Sequence, residues 1–261
     1  ATVVDIASFF RTYYAPNNAV LALVGDIDAE VALEKVRQYF EPIPRQADPP
    51  AVDLTELPQT EERRASYDDP LARLARIDVA YHIPESLTAD HDALSVLATI
   101  LSSGRSSRLY QAIVRDTQLG VNVGAFAVSN RGPSLFRLVG IAAPGADIGA
   151  LETAIYNQIE RIKVEPVEDW ELAKARNGAR RSFVASLGSS LQRAIILSRY
   201  ALFYDDPSLI NSRAERVGAV SAEDLRRVAR TYLIETNRSV IITVPKPTSA
   251  PMDQVPGQEN F

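Results

Sequence analysis

The chain has 261 residues, enough for one large domain or one domain with part of another. At 46% hydrophobic and 23% charged residues it has the make-up of a folded globular protein with a packed core. A net charge of −5 and an isoelectric point near 5.2 argue against a nucleic-acid binder and against adhesion to an anionic membrane, since both need a basic surface. The absence of cysteine removes disulfides, thiol catalysis and cysteine–zinc sites together, and leaves the compartment open. No apolar run approaches the roughly 20 residues that a membrane-spanning helix needs.

Taken in chain order, the first helix is announced by Thr2 three positions before Asp5, a capping-box pattern, and ends in Arg11-Thr12-Tyr13. Asn18 then leads into an apolar, strand-like run, Ala19 to Val24. A helix from about Ala29 to Phe40 carries Val31, Leu33, Val36 and Phe40 as an apolar stripe. Pro42, Pro44, Pro49, Pro50 and Pro58 mark an extended linker. A strand is expected over Arg73–Pro84, then a helix from about Asp90 to Leu101 with Leu94, Leu97 and Ala98 inward. The loop Ser102–Arg105 opens a helix from about Ser106 to Thr117. Val121–Val128 and Leu135–Ala142 read as strands around the turn Asn130-Arg131-Gly132-Pro133. Helices follow at about 148–163, 168–187, 189–204 and 207–217, and a closing helix 221–233 leads to a strand at 240–244. The long helices with Trp170, Phe183 and Tyr200 are read as core, and Arg180-Arg181 as a solvated face.

The last helix and strand repeat the first. Ser221 stands three before Asp224, Arg230-Thr231-Tyr232 matches Arg11-Thr12-Tyr13, and Asn237 matches Asn18, all at a constant offset of 219 positions without a gap. Two unrelated helix–turn–strand units seldom hold register so long. In the second copy this element closes a domain of about 190 residues, so residues 1–45 are expected to close an earlier copy whose body precedes this chain. Strands early and helices mostly later predict an α+β fold: an antiparallel-rich sheet with helices packed on one face. The expected organisation is a closing segment at 1–45, a Pro-rich linker at 46–62, a complete domain at 63–247 and a disordered tail at 248–261.

Several segments in this order resemble the pitrilysin/insulinase-type zinc metallopeptidases. They are Phe9-Phe10-Arg11-Thr12-Tyr13-Tyr14-Ala15-Pro16-Asn17-Asn18 with Leu23-Val24-Gly25-Asp26, then Tyr39-Phe40-Glu41-Pro42-Ile43-Pro44, and Ala80-Tyr81-His82-Ile83-Pro84. Gly104-Arg105-Ser106-Ser107-Arg108-Leu109-Tyr110 and Leu172-Ala173-Lys174-Ala175-Arg176 complete the set. The resemblance implies two similar domains, with zinc in the first on an inverted H-x-x-E-H helix whose Glu is the general base on metal-bound water. It therefore implies a missing amino-terminal zinc domain, a peptide substrate, and a homo- or heterodimer with a related chain. It also favours a bacterial periplasmic or secreted protein. Zinc is expected in the full-length protein and none in this chain, where His82 and His91 lack ligand partners and Asp90 and Asp92 suit the first turn of a helix.

Two segments are the candidates for touching substrate. Gly104 can take positive φ, and Ser106 or Ser107 can cap the following helix; with Arg108 they are similar to the family's Gly/Ser-rich turn near the chamber. A serine nucleophile is disfavoured, because no G-x-S-x-G is present and no His is placed to serve it. Arg115 approximates the family's Arg that binds the substrate carbonyl, but Val121 stands where its partner Tyr would be and cannot donate a hydrogen bond. The expected function is the carboxyl-terminal, non-catalytic half of a zinc endopeptidase, closing the chamber and gripping peptides. The alternative is a structural or inactive partner subunit on the same domain.

Overall fold

A computed structural model describes residues 1–246, so the tail expected at 248–261 lies outside the described residues. In chain order the elements are α1 (Val3–Tyr13), α2 (Ala29–Phe40), β1 (Arg63–Asp69), β2 (Arg76–Ile83), α3 (Ala89–Ser102), a π-helical stretch (Tyr110–Asp116) and β3 (Gly120–Ala127). There follow β4 (Ser134–Ala142), α4 (Ile148–Val164), α5 (Asp169–Ser186), α6 (Ser190–Tyr204), α7 (Leu209–Ala219), α8 (Ala222–Tyr232) and β5 (Arg238–Pro245). They fall into two compact units, Ala1–Thr55 with Arg176–Ala219, and Glu56–Ala175 with the chain from Val220 onward. The division between the two units runs through α5, between Ala175 and Arg176.

The second unit holds a five-stranded sheet of order β1-β5-β2-β4-β3. β5–β2, β2–β4 and β4–β3 are antiparallel and β1–β5 is parallel, which gives the expected antiparallel-rich α+β fold. Period-two alternation sends Ile77, Val79, Tyr81 and Ile83 of β2 inward, all at most 4% exposed. α3 packs on β3, α4 on β4 and β2, and α8 on β2, α3 and α4, so the three helices share the apolar face. Leu94 and Leu97 are fully buried and Ala98 nearly so, as the helical spacing required. On the opposite face, Asp78 takes bonds from Arg76 and Arg137, at 2.6 Å from Arg76 Nε and 3.2 Å from Arg137 Nη2.

β1 has no counterpart among the expected strands. Its sequence, Arg-Arg-Ala-Ser-Tyr-Asp-Asp, carries little apolar alternation, and it forms because β5 offers a free edge. A charged cluster fastens it: Arg64 Nε donates to Glu62 at 2.8 Å and its Nη1 to Glu152 of α4 at 3.1 Å. Arg238 of β5 bonds Glu62 and stacks 4.2 Å above the Tyr156 ring. Tyr81 lies beneath this cluster, and burial pushes its hydroxyl up to about 12.

In the first unit, α1 starts in a capping box between Thr2 and Asp5 and is followed by a 3-10 turn at Pro16–Asn18. Asp28 caps α2 through the Glu30 and Val31 amides, and Asn17 Nδ2 bonds Asp48 at 2.9 Å. α6 runs from its Ser189 cap to Asp205, which is left-handed at φ 55°, and then packs on α7. The strand expected at Ala19–Val24 is absent: the segment has no sheet partner among the described residues. A strand is a paired object, and the apolar run alone does not make one.

Candidate substrate-contact site

The Gly/Ser-rich turn is built from the end of α3 and tied down by the start of α5. α3 closes with Ser102 Oγ donating to Ala98 O and, across to β3, to Ala125 O, both at 3.1 Å. Gly104 then takes φ +77°, where an L side chain is strained, and a Cβ there would approach only Lys174 Nζ, at 4.0 Å. Conformation, not crowding, therefore demands glycine. Lys174 Nζ donates to Ser103 O at 3.1 Å and to Ser106 Oγ at 2.7 Å. One turn earlier on α5, Glu171 receives Arg108 through two parallel bonds of 2.8 and 2.6 Å, with only 12% and 8% of the two side chains exposed.

Neither serine caps the next helix as the sequence suggested. Ser106 Oγ is taken by Lys174, and Ser107, 2% exposed, turns its hydroxyl back to Gly104 O at 2.7 Å. That burial also removes Ser107 as a nucleophile. Burial alone would raise the Glu171 carboxyl, but the Arg108 hydrogen bonds and the Glu168 amide outweigh it and hold it below its ordinary 4.5. The following helix widens into π geometry, with the Thr117 amide reaching back five residues to Ala112 O at 3.2 Å.

Arg115 ends this π stretch on the surface, its side chain 61% exposed and paired with Asp116 at 2.7 Å. Val121 is 49% exposed at a bulge between Gly120 and Asn122, where it stands outside the β3–β4 pairing. Gln118, between them, is held at φ +53°. The structure thus gathers Gly104, Ser106, Ser107 and Arg108 into one hydrogen-bonded strap and leaves Arg115 apart as an exposed ion pair.

The two histidines are both engaged. His91 is 3% exposed, with Nε2 2.9 Å from Val128 O and Nδ1 3.5 Å from Ser95 Oγ. His82 meets Glu56 at 2.9 Å. Asp90 bonds Arg227 and the Tyr232 hydroxyl, which hold its carboxyl below the ordinary range against a smaller effect of burial. Among the described residues no group of three or more His, Asp or Glu is placed to hold a metal ion, so these residues do not fit a zinc ion.

Sequence reasoning missed Glu171 and Lys174 as the anchors of the strap. The only signal was their shared face on α5, three residues apart. It also misplaced Trp170, which is 55% exposed rather than core, whereas Tyr200 is buried at 6%.

Comparison with known proteins settles the class that this fold and strap define. The Peptidase M16 inactive domain family matches residues 1–179, and the chain belongs to that family. It is 25% identical over 247 residues to the zinc protease PqqE of Helicobacter pylori, covering 94% of this chain and 55% of that protein. The crystal structure of a protease from Helicobacter pylori superposes with a TM-score of 0.86 at 25% identity, over 94% of this chain and 60% of the other. The inactive peptidase domain of a zinc protease from Bordetella parapertussis matches with a TM-score of 0.61 at 25% identity, over 67% of this chain and 95% of the other. The chain spans about half the length of the curated relatives it matches.

Proposed function

We propose that this chain serves as the carboxyl-terminal, non-catalytic half of a zinc metalloendopeptidase, closing the chamber and gripping peptide substrates while an amino-terminal half holds the zinc. The observation that carries the reading is a contrast between two helices of one design. Leu225, Val228 and Ala229 of α8 are fully buried, whereas Ile6, Phe9 and Phe10, at the matching positions of α1, are 52%, 53% and 49% exposed. Each fully buried aliphatic or aromatic side chain is worth about 1.5–3 kcal/mol, so such a stripe calls for a cover. A sheet-bearing domain like the one that covers α8 is the cover of matching chemistry, and it would also give Ala19–Val24 a partner strand.

The strap supports substrate contact on this half, with Gly104 and Ser106 at its surface held from behind by Ser107 and Arg108, and the exposed Arg115 would exchange its Asp116 partner for a substrate carbonyl. Val121 in place of a hydrogen-bonding Tyr favours pairing with a related chain that supplies one, as a dimer, and the resemblance favours a bacterial periplasmic or secreted setting. The test compares the full-length gene product with this chain alone on an unstructured polypeptide, with and without a zinc chelator. Chelator-sensitive cleavage by the full-length protein only is the expected result. Chelator-sensitive cleavage by this chain alone would overturn the division of labour. A full-length protein without H-x-x-E-H and without cleavage would turn the assignment to a structural subunit.

A further inference from the structure

We propose that the cleft beside the strap is a binding site for a basic residue of a polypeptide, held by its side chain and by its backbone amide. The cleft has a volume of about 530 Å³ and lies between the π-helical stretch, the end of α4 and the start of α5. The site deepens the substrate-gripping reading above and takes its biological sense from it.

One polar side chain in the lining, Gln158, has no hydrogen-bond partner among the described residues. Gln158 is 9% exposed, on the face of α4 that buries Ile155, Ile159 and Ile162, and its amide makes no hydrogen bond among the described residues. Arg108 spends Nε and Nη2 on Glu171 but leaves its buried Nη1 without an acceptor. The Arg108 Nη1 is enclosed by the protein, so the Gln158 amide alone, which is not enclosed, is open to an incoming partner. A carboxamide that can both donate and accept is the complement of a peptide unit.

The rim supplies the charge preference. Asp116, Glu165, Glu168 and Glu171 line the cleft against Arg108 and Arg161. Glu171 is consumed by Arg108 and Glu165 by Arg161 at 3.0 Å, and Asp116 is shared with Arg115 at the surface. Glu168 is exposed with no ion pair among the described residues, two positions from the open Trp170 ring. An anionic carboxylate next to an exposed indole face selects a cation that can stack, as Arg and Lys side chains do. An acidic residue would meet repulsion there.

Trp170 is the only tryptophan of the chain, so its emission reports on this cleft alone. The experiment titrates this chain with acetyl-Ala-Arg-Ala-amide and, separately, with acetyl-Ala-Glu-Ala-amide. A saturable change in Trp170 emission with the basic peptide and none with the acidic one is expected. Glu168→Gln, at an exposed position that leaves folding alone, should weaken the basic peptide about fivefold. Gln158→Leu should weaken it about tenfold, because leucine can neither donate to nor accept from a peptide unit. No saturable change, equal binding of the acidic peptide, or an unaltered affinity in Glu168→Gln would overturn the site. Loss of binding with chelator-sensitive cleavage intact in the full-length protein would defeat the site and spare the half-protease reading; binding without any such cleavage would do the reverse.

Discussion

Asn18 and Asn237 make the same bond 219 positions apart: each donates Nδ2 at 2.8 Å to the carbonyl of the tyrosine five residues earlier, Tyr13 and Tyr232. Only Asn237 also donates to a strand, at 2.8 Å to His82 O. Thr12 and Thr231 likewise bond Ser8 O and Arg227 O, both at 2.9 Å. Asn237→Ala is expected to cost about 2 kcal/mol in urea unfolding of this chain, and Asn18→Ala at most about 1. In the full-length protein the Asn18→Ala penalty should rise toward that of Asn237→Ala, because a strand would then stand where His82 does. An Asn18 penalty that stays the same in both would count against a covering domain.

The Arg108–Glu171 pair gives the strap a pH limit. Because the folded carboxyl sits below its ordinary 4.5, the pair's contribution is complete above that value and is lost as pH falls through the lower, folded one. Arg108→Ala strands a buried carboxylate and should destabilise by about 3 kcal/mol at neutral pH. Its deficit against the parent chain should shrink in acid below pH 4.5. Chemical denaturation at neutral and acid pH measures both values.

Gln118 occupies the left-handed region at φ +53° without a glycine's freedom. Gln118→Gly should therefore stabilise the chain by about 0.5–1 kcal/mol, the relief of backbone strain exceeding the added entropy of the unfolded state. A lower melting temperature in this variant would mean that the glutamine side chain holds the turn.

Arg115 and Val121 are both exposed, so substitutions there should leave folding almost untouched. Arg115→Ala and Val121→Tyr are each expected to shift stability by less than about 0.5 kcal/mol. In the full-length protein, Arg115→Ala should lower kcat/KM for peptide cleavage, and Val121→Tyr should raise it if a tyrosine there reaches the substrate carbonyl. Unchanged kinetics in Arg115→Ala would remove it from the substrate contacts.

Much of the fold was legible in local pattern. The alternation in Arg76–Ile83, the capping pairs Thr2–Asp5 and Ser221–Asp224, and the inward Leu94 and Leu97 each follow from neighbours a few residues away. The strap's anchors were not legible, because Arg108 and Glu171 lie 63 positions apart and either charge alone reads as surface. Trp170 was misplaced for the same reason: an indole at helical spacing suits a core or an open cleft equally, and only the neighbouring elements choose between them.

By itself the amino-acid sequence determined the duplicated helix–turn unit, the helices, four of the five strands and the family, since all of these rest on short-range periodicity and ordered segments. Tertiary structure alone decided that the polar segment Arg63–Asp69 becomes a strand while the apolar Ala19–Val24 does not. It also decided that Arg108, Gln158 and Trp170 border one cleft. The reason is physical: a strand and a binding site exist through partners distant in the chain, and no local pattern encodes whether a partner is there.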